Sequence, residues 1–383
     1  MRVVIAPDKF KGSLTALEAA SAMARAVARI DPRAEIDLVP MADGGEGTVA
    51  ALVSAASGIY SKACVTGPLG EPVTAPFGLL DGGRTAVIEM AAASGLSLVP
   101  TPLRDPLRAT TRGTGELLLA ALEAGARRVI VGIGGSATND GGAGLGQALG
   151  FRLLDADDRE LGSGGGELGR LARIDPSGRR AALDQVEIAV ACDVTNPLCG
   201  PQGASAVYGP QKGATPAMIR ELDRNLAHFA AILERDLGVS IRDLPGAGAA
   251  GGLGGGLIAF GGGRLQGGVE LLIDTVNLRL RLRGADLCLT GEGALDAQSA
   301  YGKTAVGVSR LAHSLGCPTI ALAGTVGPGA EAVLDQGVNA YFSICPGPIT
   351  LDESIAQAER LLESVSAQAV RAFLAGRNSN PLI

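Results

Sequence analysis

The sequence predicts an α/β protein of two domains. One is discontinuous, with a mostly parallel sheet flanked by helices, and the other is an inserted mixed α/β domain. Three observations predict this. Short apolar runs alternate with helical stripes at both ends of the chain, which is the rhythm of parallel βα units. The N-terminal part offers two strands and the C-terminal part three, too few for a wide sheet in either, so the ends are expected to share one sheet. Between them the rhythm changes to a hairpin and glycine-rich loops. We therefore expect residues 1–62 and 285–383 to build the discontinuous domain and 63–284 the inserted one.

Taken in order, residues 2–6 read as a strand, and Thr15-Ala-Leu-Glu18 fits a capping box opening a helix with Leu17, Ala20, Ala24, Val27 and Ala28 as its apolar stripe. Residues 35–39 form a second strand, and 41–48 open another helix. Runs 73–80 and 84–90 flank Asp81-Gly82-Gly83 as a hairpin. A helix over 115–124 leads into a strand over 128–131 and then the glycine-dense stretch 132–144. Each glycine in a helix start costs roughly 1 kcal/mol relative to alanine, so tight packing or a ligand needing bare backbone has to account for that density. Residues 155–185 show no period and read mostly as loop. A strand over 186–191, a helix over 215–237 and a glycine stretch over 246–256 follow, the last either a close-packed helix or a loop around ligand. Alternation then returns: strand 287–290, helix 304–315, strand 318–323, helix 329–336, strand 338–344, helix 352–374.

Composition narrows the function. With 383 residues, 46 % of them hydrophobic, the chain can bury large cores. No apolar run reaches the roughly 20 residues of a membrane span, and the first residues turn polar too soon for a signal peptide, so a cytoplasmic protein without membrane contact is expected. Six cysteines without a C-x-x-C pair read as reduced core thiols. A net charge of −6 and 3 % aromatic residues argue against a nucleic-acid partner. Only five lysines (9, 11, 62, 212, 303) stand among 33 basic residues, and four fall in glycine-rich, turn-like stretches. An ammonium on a flexible stem suits a phosphate in a tight loop. Both histidines, His228 and His313, sit in amphipathic helical stretches, which leaves a carboxylate as the general base.

The chemistry concentrates at 286–304. A strand empties into Gly291-Glu292-Gly293, then Asp296, then Gly302-Lys303 at a helix start, the layout of an anion site. A true P-loop would need glycine where Ala297 stands. The alternative is a glycine-rich turn with solvated charges. A rival motif, Gly132-Ile-Gly134-Gly-Ser-Ala137 with Asp155 beyond it, fits a dinucleotide fingerprint and an NAD-dependent oxidoreductase acting on a small hydroxy acid. Asn139 and Asp140 interrupt its helix start, and a carboxylate there would repel a pyrophosphate. Phosphoryl transfer needs cations, metal-binding carboxylates and one carboxylate base, and the chain supplies each. Lys11, Lys212 and Lys303 are the cations; Asp8, Asp43, Glu46, Glu292 and Asp296 the metal candidates; Asp193 is the base, with Asp140 second. Ser13, Ser136, Gly291, Gly293 and Gly302 complete the expected cofactor-binding set with Lys11 and Lys212, and Lys303 joins the catalytic set.

Several of these motifs recur in one known order. Pro7-Asp8…Lys11-Gly12-Ser13-Leu14, Ala42-Asp-Gly-Gly-Glu-Gly-Thr48, 132–144, Cys192-Asp-Val-Thr-Asn-Pro-Leu198, Gly209-Pro-Gln-Lys-Gly-Ala214, 246–254 and Thr290-Gly-Glu-Gly293…Asp296…Gln298-Ser299…Gly302-Lys303 together resemble the bacterial type I glycerate kinases (glycerate 2-kinases). The resemblance implies ATP- and Mg²⁺-dependent phosphorylation of D-glycerate, 2-phosphoglycerate as product, and two α/β domains with the active site in the cleft between them. We expect a monomer or homodimer. Two positions depart from the pattern: Lys9 stands where serine is frequent, and Ala294 where some members carry arginine. Glycerate's carboxylate is then expected at backbone N–H groups of 136–140, or at an arginine such as Arg112.

Overall fold

The computed structural model describes residues 1–297, Ser299 and residues 303–378. Its strands in chain order are β1 (Arg2–Ile5), β2 (Glu35–Leu38), β3 (Ile59–Thr66), β4 (Pro72–Leu80), β5 (Thr85–Glu89), β6 (Arg128–Gly132), β7 (Arg152–Leu154), β8 (Arg173–Asp175), β9 (Glu187–Ala191), β10 (Arg264–Gln266), β11 (Leu287–Leu295), β12 (Thr319–Val326) and β13 (Ala340–Ser343). The chain divides into two compact units. The first holds Met1–Asp43, Ala50–Ser57 and Val269–Ile383; the second holds Gly44–Val49 and Gly58–Gly268.

The first unit is built on one five-stranded sheet, ordered β13-β12-β11-β1-β2, and every pairing in it is parallel. Both ends of the chain therefore share a sheet, as the strand count requires. Val3, Val4 and Ile5 are fully buried, as expected of a parallel strand covered on both faces. Strand β11 runs on past residue 290 to Leu295, pairing Gly291 with Leu322 and Glu292 with Ala323. Glycine permits this, since a Cβ on Gly291 would lie 2.2 Å from the Leu322 carbonyl oxygen. The helix Ala16–Ile30 starts at its capping box: the Thr15 hydroxyl accepts from the Glu18 amide at 3.2 Å, and the Glu18 carboxylate accepts from the Thr15 amide at 2.8 Å. It pairs with the helix Ala358–Asn378 through Arg25 and Arg29 on Glu359 and Glu363, half-exposed contacts worth little individually. The single helix expected over 352–374 is broken into Leu351–Ala356 and Ala358–Asn378, and 329–336 is a 3-10 helix, Ala330–Gln336.

The second unit holds a six-stranded mixed sheet, ordered β10-β9-β6-β5-β4-β3, and a small β7-β8 ribbon. β3, β4 and β5 pair antiparallel, whereas β5, β6, β9 and β10 run parallel. Its core gathers Phe77, Ile88, Leu117, Phe229 and Phe260. Strand β3 escapes the sequence reading because Tyr60, Lys62 and Cys64 on one of its faces are exposed, so no apolar run marks it. The boundary drawn at 62 falls inside β3. The helices Gly268–Thr275 and Leu278–Leu282 precede the boundary at 285, yet from Val269 onward they cluster with the first unit. The stretch 155–185 is mostly loop, apart from β8 and two 3-10 turns. Close packing explains the glycine density. Gly142, at φ +83°, would place a Cβ 2.8 Å from Gly256 Cα, and a Cβ on Gly256 would lie 2.5 Å from the Gly141 carbonyl oxygen. The helix Leu253–Gly261 thus meets the 141–142 turn backbone to backbone.

Candidate active site

Parallel strands end in loops, and in the first unit three of those ends carry acids. Asp8 follows β1, and its amide donates to the Gly291 carbonyl on the neighbouring β11 at 2.9 Å. Its carboxylate accepts from the Lys9 amide at 2.6 Å and from the Thr304 hydroxyl at 2.7 Å. Burial pushes the Asp8 pKa up, and the Asp43 carboxylate adds to the rise. Asp43, exposed in the loop after β2, lies 3.5 Å from the Lys9 ammonium. On β11 itself Glu292 is 9 % exposed, and burial raises its pKa to about 7 despite Lys303, with Asp8 adding to the rise. Its Oε1 is buried with no hydrogen-bond partner among the described residues. Lys303, the residue before the helix Thr304–Ser314, places Nζ 3.5 Å from Glu292 and 3.7 Å from Asp296. Asp296 also accepts from the Ser299 amide at 3.1 Å. Lys11 is exposed in the loop after β1, where Gly12 takes φ +77°, and the Ser13 hydroxyl is buried without a partner among the described residues.

Four of the expected first-unit residues, Asp8, Glu292, Asp296 and Lys303, are thus close together. Gly291 and Gly293 correct the expectation of a bare phosphate loop. They are strand residues of β11, and Gly293 admits the Lys11 backbone, its Cβ position lying 3.1 Å from the Lys11 nitrogen. Gly302 lies outside the described residues. Among the described residues no three His, Cys, Asp or Glu side chains converge as a metal cluster. Thr304 went unread, although a threonine following a lysine at a helix start is the signal that would have found it.

In the second unit the loop after β6 is held from two sides. Asp140 is fully buried and accepts four hydrogen bonds: from the Thr111 amide and hydroxyl (2.8 and 2.9 Å), the Gly142 amide (3.1 Å) and the Gly144 amide (3.2 Å). Burial raises its pKa, and these donors oppose the rise. Lys212 ends the 3-10 turn Pro210–Lys212 and is 1 % exposed, donating to the Ser136 hydroxyl at 2.7 Å and the Thr138 carbonyl at 2.6 Å. Burial pulls its pKa down to about 7, with Asp140 opposing. Asp193 follows β9, is exposed, and accepts from the Gly268 amide at 2.7 Å. Glu46 is exposed in the 44–49 segment. Thr111, the brace for Asp140, carried no sequence signal.

The dinucleotide motif meets a different fate. A Cβ on Gly132 would lie 2.5 Å from the Gly44 carbonyl oxygen and one on Gly134 2.8 Å from Gly45 Cα, so these glycines face protein backbone. The helix after them begins only at Ala143, and Asp155 is engaged by Arg159 and Arg170.

Acids at the carboxyl ends of parallel strands, with a lysine at a helix start, are the parts of a phosphotransferase. Residues 3–374 match the model of the glycerate kinase family. The chain is 53 % identical over 363 residues to a glycerate kinase of Bacillus subtilis, covering 95 % of each. It is 51 % identical to the glycerate 2-kinase of Escherichia coli, covering 92 % of this chain and 93 % of that one. A solved structure from Salmonella typhimurium LT2, assigned provisionally as glycerate kinase 2, superposes with a TM-score of 0.89 at 47 % identity over 98 % of this chain and 99 % of that one. The chain belongs to the glycerate kinase family. Among the described residues no helix is long and apolar enough to cross a membrane.

Proposed function

We propose that this enzyme transfers the γ-phosphoryl group of ATP to D-glycerate, giving 2-phosphoglycerate. The observation that carries the reading is a pair of buried acids, Asp8 just after β1 and Glu292 on the neighbouring β11, Glu292 keeping Oε1 without a partner among the described residues and with Lys303 beside it at 3.5 Å. All donor atoms of the two carboxylates are oxygen, and Glu292 Oε1 has no partner among the described residues, so they fit Mg²⁺. That ion keeps several waters and binds one or two carboxylates plus substrate phosphates, so a three-acid cluster is not required. Glu292 and Asp8 would hold it, with Asp43, Asp296 and Glu46 as further candidates, and it would neutralise charge on the transferred phosphoryl group. Lys303 and Lys11 then meet phosphate oxygens, with the Ser13 hydroxyl as an added donor.

The proposed reaction draws on both units, which we take as the two domains, in the cleft expected between them. In the second, Asp193 takes the proton of the attacking hydroxyl. Asp193→Asn is expected to lower turnover at least about 100-fold, the usual worth of general-base help, while ATP binding persists. The asparagine oxygen can still accept the Gly268 amide, so the fold should survive. Near-normal turnover would remove the assignment. The whole reading is tested by coupled turnover of ATP with D-glycerate, L-glycerate, lactate and glycerol, with a phosphorus spectrum of the product. Turnover with none of them rejects it. We extend the proposal to a cytoplasmic monomer or homodimer, which sedimentation of the purified protein checks.

A further inference from the structure

Lys212 is buried, and among the described residues its ammonium bonds to a hydroxyl and a backbone carbonyl, with no carboxylate at ion-pair distance. An ammonium taken out of water without a carboxylate in direct contact is costly, even with Asp140 acting on it from further off, and a methionine would fill similar space without that cost. What the lysine does is organise a turn. Its Nζ donates to the Ser136 hydroxyl at 2.7 Å and to the Thr138 carbonyl at 2.6 Å. A serine hydroxyl that accepts from an ammonium must turn its own hydrogen elsewhere, and Ser136 finds no acceptor for it among the described residues. A hydroxyl polarised this way is also a stronger donor. The same turn keeps further polar capacity, because Thr138 Oγ1 and Asn139 Oδ1 are buried with no partner among the described residues.

Charge separates the tasks of the two units. The strand ends of the first unit carry Asp8, Asp43, Glu292 and Asp296, which repel a substrate carboxylate and suit a metal-bound nucleotide. The turn beside Lys212 is the cationic counterpart. We propose that Lys212 is a positioning residue that sets the Ser136 hydroxyl as the donor to the carboxylate of the small organic acid, making this turn the acid's seat. This rests on the glycerate kinase reading. Lys212 thereby acts on the acid through Ser136, in place of the direct cofactor contact expected from the sequence.

The test is steady-state kinetics on the wild type, Ser136→Ala, Lys212→Met and the double variant, with KM measured separately for D-glycerate and ATP. Loss of a hydrogen bond to a charged group corresponds to roughly 10- to 100-fold. Ser136→Ala is expected to raise the KM for D-glycerate by about that factor and to leave the KM for ATP within about 2-fold. Lys212→Met should do the same, and the double variant should be little worse than either single one, because the two groups act in series. An unchanged KM for glycerate in Ser136→Ala, equal rises for both substrates, or fully additive effects would each overturn the proposal. Should Lys212→Met fail to fold, the split in Ser136→Ala alone decides. A wild type that turns over no glycerate defeats the proposed activity instead, which keeps the two failures apart.

Discussion

Replacing Glu292 with glutamine is expected to give a protein that is more stable at pH 8 and nearly inactive. The folded state holds this carboxyl at about 7 against its ordinary value of 4.5, chiefly through burial. Between those values the folded protein binds the proton that the unfolded chain has released, so stability falls as pH rises through that window and levels off above it. The difference amounts to roughly 3 kcal/mol at 1.36 kcal/mol per pKa unit. Glutamine removes the ionisation, so the melting temperature should rise at pH 8 and change little near pH 4.5. Turnover should drop by about 100-fold or more, because a neutral amide would hold Mg²⁺ poorly and the charge stabilisation that the ion supplies would be lost. Calorimetry at the two pH values with parallel rate measurements checks both halves. A variant that melts lower at pH 8, or keeps its rate, contradicts this account of Glu292.

Asp140→Ala is the second large effect, and it separates a brace from a base. The carboxylate accepts four hydrogen bonds from Thr111, Gly142 and Gly144, so truncation leaves four buried donors without an acceptor. Breaking such a buried charged network typically costs about 3–5 kcal/mol. Asp140→Asn should cost less, since its oxygen can keep the three donors at one position while its amide opposes the single donor at the other. As a catalytic base Asp140 would behave in the opposite way, with Asp140→Asn melting normally and failing to turn over. Thermal melts of both variants decide. An Asp140→Ala protein as stable as the wild type would restore Asp140 as a base candidate.

Much of this fold was legible because its signals are local. The capping box at Thr15, the alternation after residue 287 and the count of strands at the two ends led to the shared parallel sheet. Strand β3 was hidden because half its residues face outward and are polar or small. The length of β11 was hidden because glycines read as loop, whereas here Gly291 is required by the approach of the Leu322 carbonyl. For the site, residue types and loop positions pointed to Asp8, Glu292, Asp296 and Lys303, whose proximity the fold provides. Which polar group braces and which is left unpaired depends on partners distant in sequence, as with Thr111 for Asp140 and Thr304 for Asp8, and no local pattern encodes that.

Pairing of β1 with β11 joins residues that are remote in the chain: the Arg2 amide donates to the Asp286 carboxylate, 284 positions away. A ribosome making this protein therefore exposes β1 and β2 early and must complete the second unit before β11, the other parallel neighbour of β1, arrives. Each pairing in the second unit's six-stranded sheet, by contrast, lies within residues 59–266, so that unit can consolidate first on the nascent chain. Until residues 287–289 are made, β1 has a free edge on the β11 side, and a chaperone or a misplaced strand would compete for it during that interval.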